Sequence, residues 1–235
     1  MSTKPIILYG HKAGPNPWKV VLILEELDLP YEHKFMEMDE LKKEPFESVN
    51  PNGRVPAMED PNAGLVLWES GACIDYLCET YDKESRLSPK DPQAKWLARA
   101  WRDFQMSGQG PYFGQYSWFI KYHPEKVQSA IDRYWNEIVR VIGVIDRHIA
   151  KQKTTYLVGE AVTYADLMWV PWMVFGLRKV EDKINRESHP SFFAWWDAVC
   201  ERPSVERTKE LWAESSEKRK AELLAERAAK AAVGK

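Results

Sequence analysis

The sequence contains little cysteine. Its 235 residues include Cys73, Cys78 and Cys200, and none of the three belongs to a Cys-x-x-Cys pair or to a spacing typical of zinc ligands. Neither a disulfide framework nor a metal site is therefore expected. We expect any thiol chemistry to use a thiol that another molecule supplies.

Long apolar runs and a strong net charge are also absent. The longest uninterrupted apolar run, residues 20–24, is far shorter than the ~20 residues of a transmembrane helix, and the N-terminus lacks the apolar core of a signal peptide. The 33 Lys and Arg residues against 35 Asp and Glu residues give a net charge of −2, so no overall field attracts nucleic acid or anionic lipid. We expect a soluble, cytoplasmic protein with no nucleic-acid or membrane partner.

The chain divides into two parts with different patterns. Up to about Arg86 the apolar segments are short and separated by Gly and Pro, whereas from about Asp91 apolar residues recur at helical spacing. The first part predicts a βαβ unit followed by a ββα unit, which is a thioredoxin-like α/β domain, and the second predicts an all-α helical bundle. The predicted strands cover residues 6–9, 31–36, 57–59 and 65–68.

Domain boundaries follow from the same change of pattern. We predict a thioredoxin-like domain over residues 1–86, a linker over 87–92 and a helical domain over 93–213. The remaining residues, 214–235, are rich in Glu, Lys, Arg and Ala, and we interpret them as a solvated helix or a frayed end.

The junction between the first strand and the first helix lacks the usual cysteine pair of thioredoxin-like domains. It reads GPNPWK over residues 14–19, and we predict Asn16 as the helix N-cap with Pro17 at the first helical position. A helix start presents unpaired N–H groups and a partial positive charge, which stabilise an anion. The anion that we expect here is the thiolate of a ligand.

Several segments carry a family resemblance. The segments NPNGRVP over residues 50–56 and WESGA over residues 68–72 resemble the glutathione-binding pattern of soluble glutathione transferases. The segments GPNPWKV over residues 14–20 and SGQGP over residues 107–111 resemble the nu-type branch, which includes fungal transferases and a yeast nitrogen-regulation protein. The resemblance implies glutathione as co-substrate, no metal, and a homodimer that pairs the first domain of one subunit with the second domain of the other.

The resemblance assigns glutathione contacts to the first part. Val55 precedes Pro56, and an X-Pro bond is the only peptide bond that readily becomes cis. In the family the backbone before this proline pairs with the cysteine of glutathione, as an added strand does. The resemblance also implies contacts from Trp18 and Arg54, although an Arg in a polar loop is as often solvated.

Glu69 and Ser70 precede a predicted helix over residues 71–81. The Ser70 hydroxyl and nearby amides can receive the carboxylate of the γ-glutamyl group, while Glu69 faces its ammonium. The alternative is structural, with Ser70 as an N-cap and Glu69 as a partner of the helix dipole.

Asn16 is the predicted catalytic residue, and its amide cannot act as a base. A free thiol with a pKa near ~8.5 is only ~3% ionised at pH 7, and lowering that pKa by ~2 units requires about 2.7 kcal/mol. A hydrogen bond to a charge contributes ~1.5–3 kcal/mol and a helix terminus up to ~2 kcal/mol. Asn16 therefore suffices as a donor to the thiolate, or it only caps its own helix.

The second part holds nine of the eleven tryptophans, and those on apolar helix faces are expected in the core. A helix should kink in the Gly- and Pro-broken segment over residues 107–114 and expose its aromatic side chains to the domain cleft. These side chains are candidates for an acceptor pocket. The predicted acceptor-site residues are Gln109, Tyr112, Tyr116 and Trp118.

Three functions fit this reading. The first is conjugation of glutathione to apolar electrophiles, a detoxification activity. The second uses the same site to reduce disulfides or peroxides, an activity linked to oxidative stress. The third is a glutathione-binding regulator or ligand carrier without catalysis.

Overall fold

The sheet of the first part contains four strands. In the computed structural model, which describes residues 3–176 and 184–233 and side chains as far as residue 225, the order is β2-β1-β3-β4. Strand β1 runs parallel to β2 and antiparallel to β3, which runs antiparallel to β4. This arrangement confirms the thioredoxin-like fold. The strands are β1 (Ile6–Gly10), β2 (Tyr31–Phe35), β3 (Ala57–Asp60) and β4 (Leu65–Trp68).

Three helices accompany the sheet: α1 (Pro15–Glu26), α2 (Phe46–Val49) and α3 (Ser70–Tyr81). Every residue from 17 to 24 in α1 is buried, because this helix lies between the sheet and the second part of the chain. A helix with one solvent face would alternate apolar and polar residues. The continuous apolar run in α1 is therefore explained by burial on all sides.

The described residues of the second part are helical and confirm the predicted α-helical domain. Helix α4 continues through a π-helical turn, Gln105–Gln109, into α5 without a break. The predicted kink is thus a change of helical winding. The helices are α4 (Pro92–Phe104), α5 (Gly110–Lys121), α6 (Gln128–Gln152), α7 (Tyr164–Leu167), α8 (Val170–Gly176), α9 (Pro190–Cys200) and α10 (Pro203–Val233). Within the described ranges, none of these helices is long and apolar enough to cross a membrane.

The two parts share a large buried interface along α1. The Glu26 carboxylate accepts hydrogen bonds from Arg202 Nε at 2.6 Å and Nη2 at 2.8 Å. Near the other end of α1 the Trp18 ring stacks on Trp212 with ring centroids 5.9 Å apart. The first helix is therefore held by a polar contact from Arg202, between α9 and α10, and by an aromatic contact from Trp212 of α10.

The prediction of a solvated helix or a frayed end over residues 214–235 does not include the contacts that this stretch makes with the first part, although most of its described side chains, up to residue 225, are exposed. Helix α10 continues through this stretch and packs on the loop after β1, where Ser216 Oγ donates to the Lys12 carbonyl at 3.3 Å. Lys12 Nζ pairs with Glu222 at 2.6 Å, and Arg219 pairs with Glu37 at 2.7 Å. The tail's charges meet complementary charges of the first part, which composition alone did not reveal.

Candidate functional site

Helix α1 begins two residues earlier than predicted. Gly14, in extended conformation, is the N-cap, and Pro15 is the first helical residue. The prediction of Asn16 as N-cap is therefore wrong: Pro15 also suits the first helical position, so two registers competed in the sequence. Because Pro15 and Pro17 have no N–H, Asn16 carries the one backbone donor among the first three helical positions.

The Asn16 side chain is oriented by a residue 156 positions away. Its Oδ1 accepts a hydrogen bond from Trp172 Nε1 at 2.8 Å. An indole N–H is a donor only, so the carboxamide must turn its oxygen toward Trp172 and its Nδ2 hydrogens elsewhere. Trp172 was missed by sequence reasoning, since it lies in an apolar run and nothing in its spacing points to Asn16.

Trp172 connects Asn16 to the start of α5. A Cβ added to Gly110 would lie 3.3 Å from Trp172 Nε1, and a Cβ added to Gly114 would lie 3.3 Å from Cη2 of the same ring. These distances are shorter than ordinary packing contacts, so the two glycines let the indole lie directly against the α5 backbone. This contact explains Gly110, which lies in the segment that carries the family resemblance, and Gly114, four residues later.

The predicted acceptor residue Gln109 does not face a cleft. It is fully buried, accepts a hydrogen bond from Gln105 Nε2 at 2.8 Å and donates to the Trp169 carbonyl at 3.2 Å. The prediction that Gln109 contacts an acceptor substrate is wrong, because the π-helical turn directs this side chain inward. Its amide instead satisfies buried polar groups.

The aromatic residues of α5 divide between packing and exposure. Tyr112 and Tyr116 are half-buried against α6, with ring centroids 6.3 Å from Tyr134 and 5.7 Å from Trp135, respectively. Trp118 is 49% exposed. These three predicted acceptor-site residues thus keep accessible surface, unlike Gln109.

The loop before β3 contains the predicted cis bond. The Val55–Pro56 peptide is cis, and the Arg54 carbonyl accepts a hydrogen bond from Asn50 Nδ2 at 2.6 Å. The Arg54 side chain is exposed. Trp18, by contrast, is 2% exposed, because its ring is packed against His33 and Trp212. The structure therefore gives no support to a ligand contact by the Trp18 side chain.

The start of α3 combines an exposed carboxylate with a nearly buried hydroxyl. Glu69 is exposed and occupies the N-cap position at a φ of +69°, a left-handed conformation that is unfavourable for a non-glycine residue and is found more often at functional sites. Ser70 is the first helical residue, and its hydroxyl donates to Met106 Sδ at 3.2 Å.

A buried lysine lies beneath Ser70. Lys19 Nζ donates to Ser70 Oγ at 2.9 Å and to Gln105 Oε1 at 2.9 Å. Burial lowers the pKa of Lys19 to about 7, while the nearby charge of Glu69 acts in the opposite direction. Sequence reasoning missed Lys19, although a lysine followed by five apolar residues in a buried helix is itself a signal.

Three other side chains of the first domain, Tyr9, Cys73 and Cys78, do not suit thiol chemistry. The Tyr9 hydroxyl donates to Glu59 Oε1 at 2.6 Å, and burial together with Glu59 raises the pKa of Tyr9 to about 12. Burial likewise raises the pKa of the Cys73 thiol to about 12, and Cys78 is buried with its pKa raised for the same reason. Tyr9 is therefore a packing residue, and these two thiols are inert at neutral pH.

A separate cavity of about 420 Å³ lies between β2 and α10. It does not include Asn16, Trp172 or the start of α3. Its lining consists of Lys12, Trp18, Tyr31, His33, Phe35, Leu211, Glu214, Ser215 and Lys218.

Comparison with known proteins gives two domain matches. Residues 8–85 match the family "Glutathione S-transferase, N-terminal domain", and residues 111–203 match "Glutathione S-transferase, C-terminal domain". The chain belongs to the glutathione transferase family. The two matches together cover most of its length and confirm the resemblance drawn from the sequence segments.

Individual relatives are similar over nearly the whole chain. The glutathione S-transferase-like protein OpS6 of Beauveria bassiana is 48% identical over 207 residues, which are 88% of this chain and 95% of that protein. The glutathione transferase URE2P6 of Phanerochaete chrysosporium, solved with oxidized glutathione, is 42% identical with a TM-score of 0.85, over 90% of this chain and 98% of that one.

A further structure is Ure2p5 of the same organism, cocrystallized with 1-(S-glutathionyl)-2,4-dinitrobenzene. It is 35% identical with a TM-score of 0.81, over 92% of this chain and 97% of that one. The present chain is thus similar to Ure2p-type transferases, as its sequence segments predicted. Within the described residues no cluster of three or more metal-ligating side chains occurs.

Proposed function

We propose that this transferase binds glutathione and ionises its thiol at the start of α1, where the Asn16 side-chain amide donates an N–H to the thiolate. The observation that carries this proposal is the hydrogen bond from Trp172 Nε1 to Asn16 Oδ1. Because it occupies the carboxamide oxygen, it leaves Nδ2 as the group available to a ligand. An anion is the ligand that such a donor favours.

Two donors of Asn16 then act together. The side-chain N–H contributes ~1.5–3 kcal/mol to a charged acceptor, and the free backbone N–H at the helix start adds up to ~2 kcal/mol. The sum meets the ~2.7 kcal/mol needed to lower a thiol pKa by ~2 units. Ionisation at pH 7 then contributes a rate factor of about 25, so the larger share of catalysis comes from orientation.

The remaining contacts to the tripeptide lie along one edge of the first domain. The backbone of Val55 before the cis Pro56 pairs with the cysteine of glutathione, and Arg54 faces a ligand carboxylate. Glu69 pairs with the ammonium of the γ-glutamyl group and Ser70 with its carboxylate. The unfavourable backbone of Glu69, at a φ of +69°, supports a functional reason for this residue.

The electrophile binds over α5 beside Trp172. The Trp172 ring adjoins both Asn16 and the glycines of α5. By helical spacing Trp118 lies on the same side of α5 as these glycines and is exposed, while Tyr112 and Tyr116 retain accessible surface farther round the helix. An apolar acceptor with a flat ring suits such a wall. Conjugation of soft, apolar electrophiles is therefore the activity that we propose.

A second candidate is glutathione-dependent reduction of disulfides or peroxides. It is favoured by the burial of Cys73 and Cys78, because a site without a reactive protein thiol can accept two glutathione molecules in turn. The first thiolate attacks a sulfur of the substrate disulfide and expels the other sulfur as a thiolate. The thiolate of the second glutathione then attacks the glutathione sulfur of the mixed disulfide, expels the remaining substrate sulfur as a thiolate and yields oxidised glutathione.

One comparison of substrates tests both candidates. Purified protein is passed over immobilised glutathione and assayed with aryl halides, isothiocyanates and epoxides, and in parallel with a mixed disulfide of glutathione. Conjugation that is reduced by up to about 25-fold in Asn16→Ala is the expected result. Turnover of the disulfide alone, surviving in a variant without the three cysteines, would favour reduction. If the protein is not retained on immobilised glutathione and turns over none of these substrates, the proposal is contradicted.

A further inference from the structure

Lys19 places a positive charge at the buried junction of the two domains. It is 2% exposed, and its three nearest polar partners are neutral: Ser70 Oγ at 2.9 Å, Gln105 Oε1 at 2.9 Å and Met106 Sδ at 3.6 Å. Among the described residues, none forms an ion pair with Lys19. Buried charges in proteins are normally paired, so this lysine lacks the partner that its position calls for.

The hydroxyl above Lys19 is also poorly satisfied. Ser70 Oγ accepts from Lys19 and directs its own proton to Met106 Sδ at 3.2 Å. A thioether is a weak acceptor, whereas a carboxylate is a strong one. A carboxylate at the start of α3 would therefore draw the Ser70 proton outward while Lys19 continues to donate to the hydroxyl oxygen from below.

We propose that Lys19 is the buried counter-charge for the carboxylate of the γ-glutamyl group of glutathione, and that it acts through the Ser70 hydroxyl. Lys19 is thus a positioning residue. The inference rests on the proposed function, because it assumes that this group docks at Glu69 and Ser70. The chain of contacts from carboxylate to Ser70, Lys19 and Gln105 also joins glutathione to the π-helical turn of the second domain.

The proposal predicts proton uptake on binding. The charged groups on the elements around Lys19 are Glu69 before α3, Asp75 in α3, and Arg102 and Asp103 in α4, of which Arg102 pairs with both aspartates at 2.8 Å. In the free protein burial holds the pKa of Lys19 at about 7, against the charge of Glu69. A bound carboxylate raises this pKa, so binding takes up a proton above pH 7 and affinity falls by at most about tenfold per pH unit.

The test uses ligands whose thiol cannot titrate. S-methylglutathione is compared with the analogue in which a γ-aminobutyryl group replaces γ-glutamyl, so that only the carboxylate is missing. Calorimetry in two buffers of different ionisation enthalpy measures affinity and proton uptake for the wild type, Lys19→Met and Lys151→Met. Lys151 is an exposed lysine of α6 and serves as the matched control.

The wild type and Lys151→Met should prefer S-methylglutathione by about tenfold or more and take up a proton near pH 8. Lys19→Met should lose both the preference and the uptake, and Ser70→Ala should lose the preference. If Lys19→Met fails to fold, proton uptake by the wild type with S-methylglutathione but not with the analogue decides the question.

Two results would overturn the inference. Lys19→Met could weaken both ligands by the same factor, which shows a structural role only. The wild type could bind both ligands equally, which shows that the carboxylate is not recognised here, while glutathione binding and the proposed function stand. Failure of the wild type to bind any glutathione derivative would instead remove the proposed function itself.

Discussion

At the scale of single residues, Trp172 determines which atoms Asn16 presents to a ligand. Its Nε1 donates to Asn16 Oδ1 at 2.8 Å. Trp172→Phe keeps an aromatic ring against α5 but removes this donor. We expect the loss of one hydrogen bond, about 1 kcal/mol, to raise the pKa of bound glutathione's thiol and lower kcat/KM about fivefold.

The matched control for this change is Trp196→Phe in α9, which removes an indole N–H outside the proposed site. The control should show the wild-type kcat/KM in kinetic assays and the wild-type pKa of the bound thiol in ultraviolet titration. If Trp172→Phe equals the wild type in both measurements, Asn16 does not need the orientation that we assign to it.

Lys19 also gives a residue-scale prediction about stability. Burial lowers its pKa to about 7 from an ordinary value of 10.5, so between these pH values the unfolded chain binds the proton more tightly than the folded one. Burial of the charged Lys19 therefore destabilises the folded protein. This destabilisation is fully present below pH 7, and it decreases as pH rises from about 7 to 10.5.

Lys19→Met should remove this destabilisation of the folded protein. At pH 6 we expect the variant to unfold with a free energy about 1 kcal/mol or more above that of the wild type, with a gap that narrows as pH rises toward 10. Urea unfolding at several pH values measures it. A variant that is less stable than the wild type at pH 6 would contradict this prediction, because it would show that Lys19 stabilises the folded protein.

At the scale of elements, the motif over residues 163–166 makes a capping box at the start of α7. Thr163 Oγ1 and the Thr163 N–H both donate to Asp166 Oδ2 at 2.9 Å. Thr163→Ala should lower the free energy of unfolding by about 1 kcal/mol and leave kcat/KM of the folded protein unchanged. Thr155→Ala, at an exposed threonine, should change stability by less than about 0.5 kcal/mol. A large loss of kcat/KM in Thr163→Ala would contradict a purely structural role.

Most elements were predictable because their signals are local. The short predicted strands and the helical spacing of apolar residues after about Asp91 each depend on neighbours within one element. The start of α1 was predicted two residues late, because Gly14-Pro15 and Asn16-Pro17 are both acceptable helix starts. Helix α2 was not predicted, since its four residues are too few to show a period.

At the scale of the whole molecule, α1 is fixed to the second domain by the ion pair between Glu26 and Arg202, which lies between α9 and α10. Burial alone would raise the pKa of Glu26, but hydrogen bonds from Arg202 and Ser204 outweigh it and lower that pKa. The stability from this pair is present above the ordinary glutamate pKa of about 4.5 and is lost as pH falls through the lowered value.

Glu26→Gln keeps the size of the side chain and removes its charge. We expect a loss of about 1–2 kcal/mol in the free energy of unfolding at pH 7, since Arg202 is partly solvated, and a shallower loss of stability with acid than in the wild type. Glu47→Gln, at an exposed residue of α2, should leave the free energy of unfolding and its loss with acid unchanged. Equal acid sensitivity of Glu26→Gln and the wild type would exclude this pair as a source of the effect.

The parts of the site that sequence reasoning missed or misplaced depend on contacts between residues far apart in the chain. Asn16 and Val55 are recognisable from their own segments. Trp172 and Lys19 contact the other domain, across 156 and 86 residues of chain, whereas Gln109 turns inward to Trp169, 60 residues away in the same domain. The packing of the charged C-terminal helix on the first domain is of the same kind. The homodimer and the cytoplasmic location stay predictions.

The central claim is that Asn16 stabilises the thiolate of bound glutathione. Ultraviolet absorbance of the thiolate, followed as pH is raised on the protein saturated with glutathione, measures it directly. We predict a thiol pKa about 2 units below the free value of ~8.5 in the wild type, and a return of at least about 1 unit toward it in Asn16→Ala. A bound thiol that titrates at its free value, or at the same pH with and without the Asn16 amide, would contradict the account.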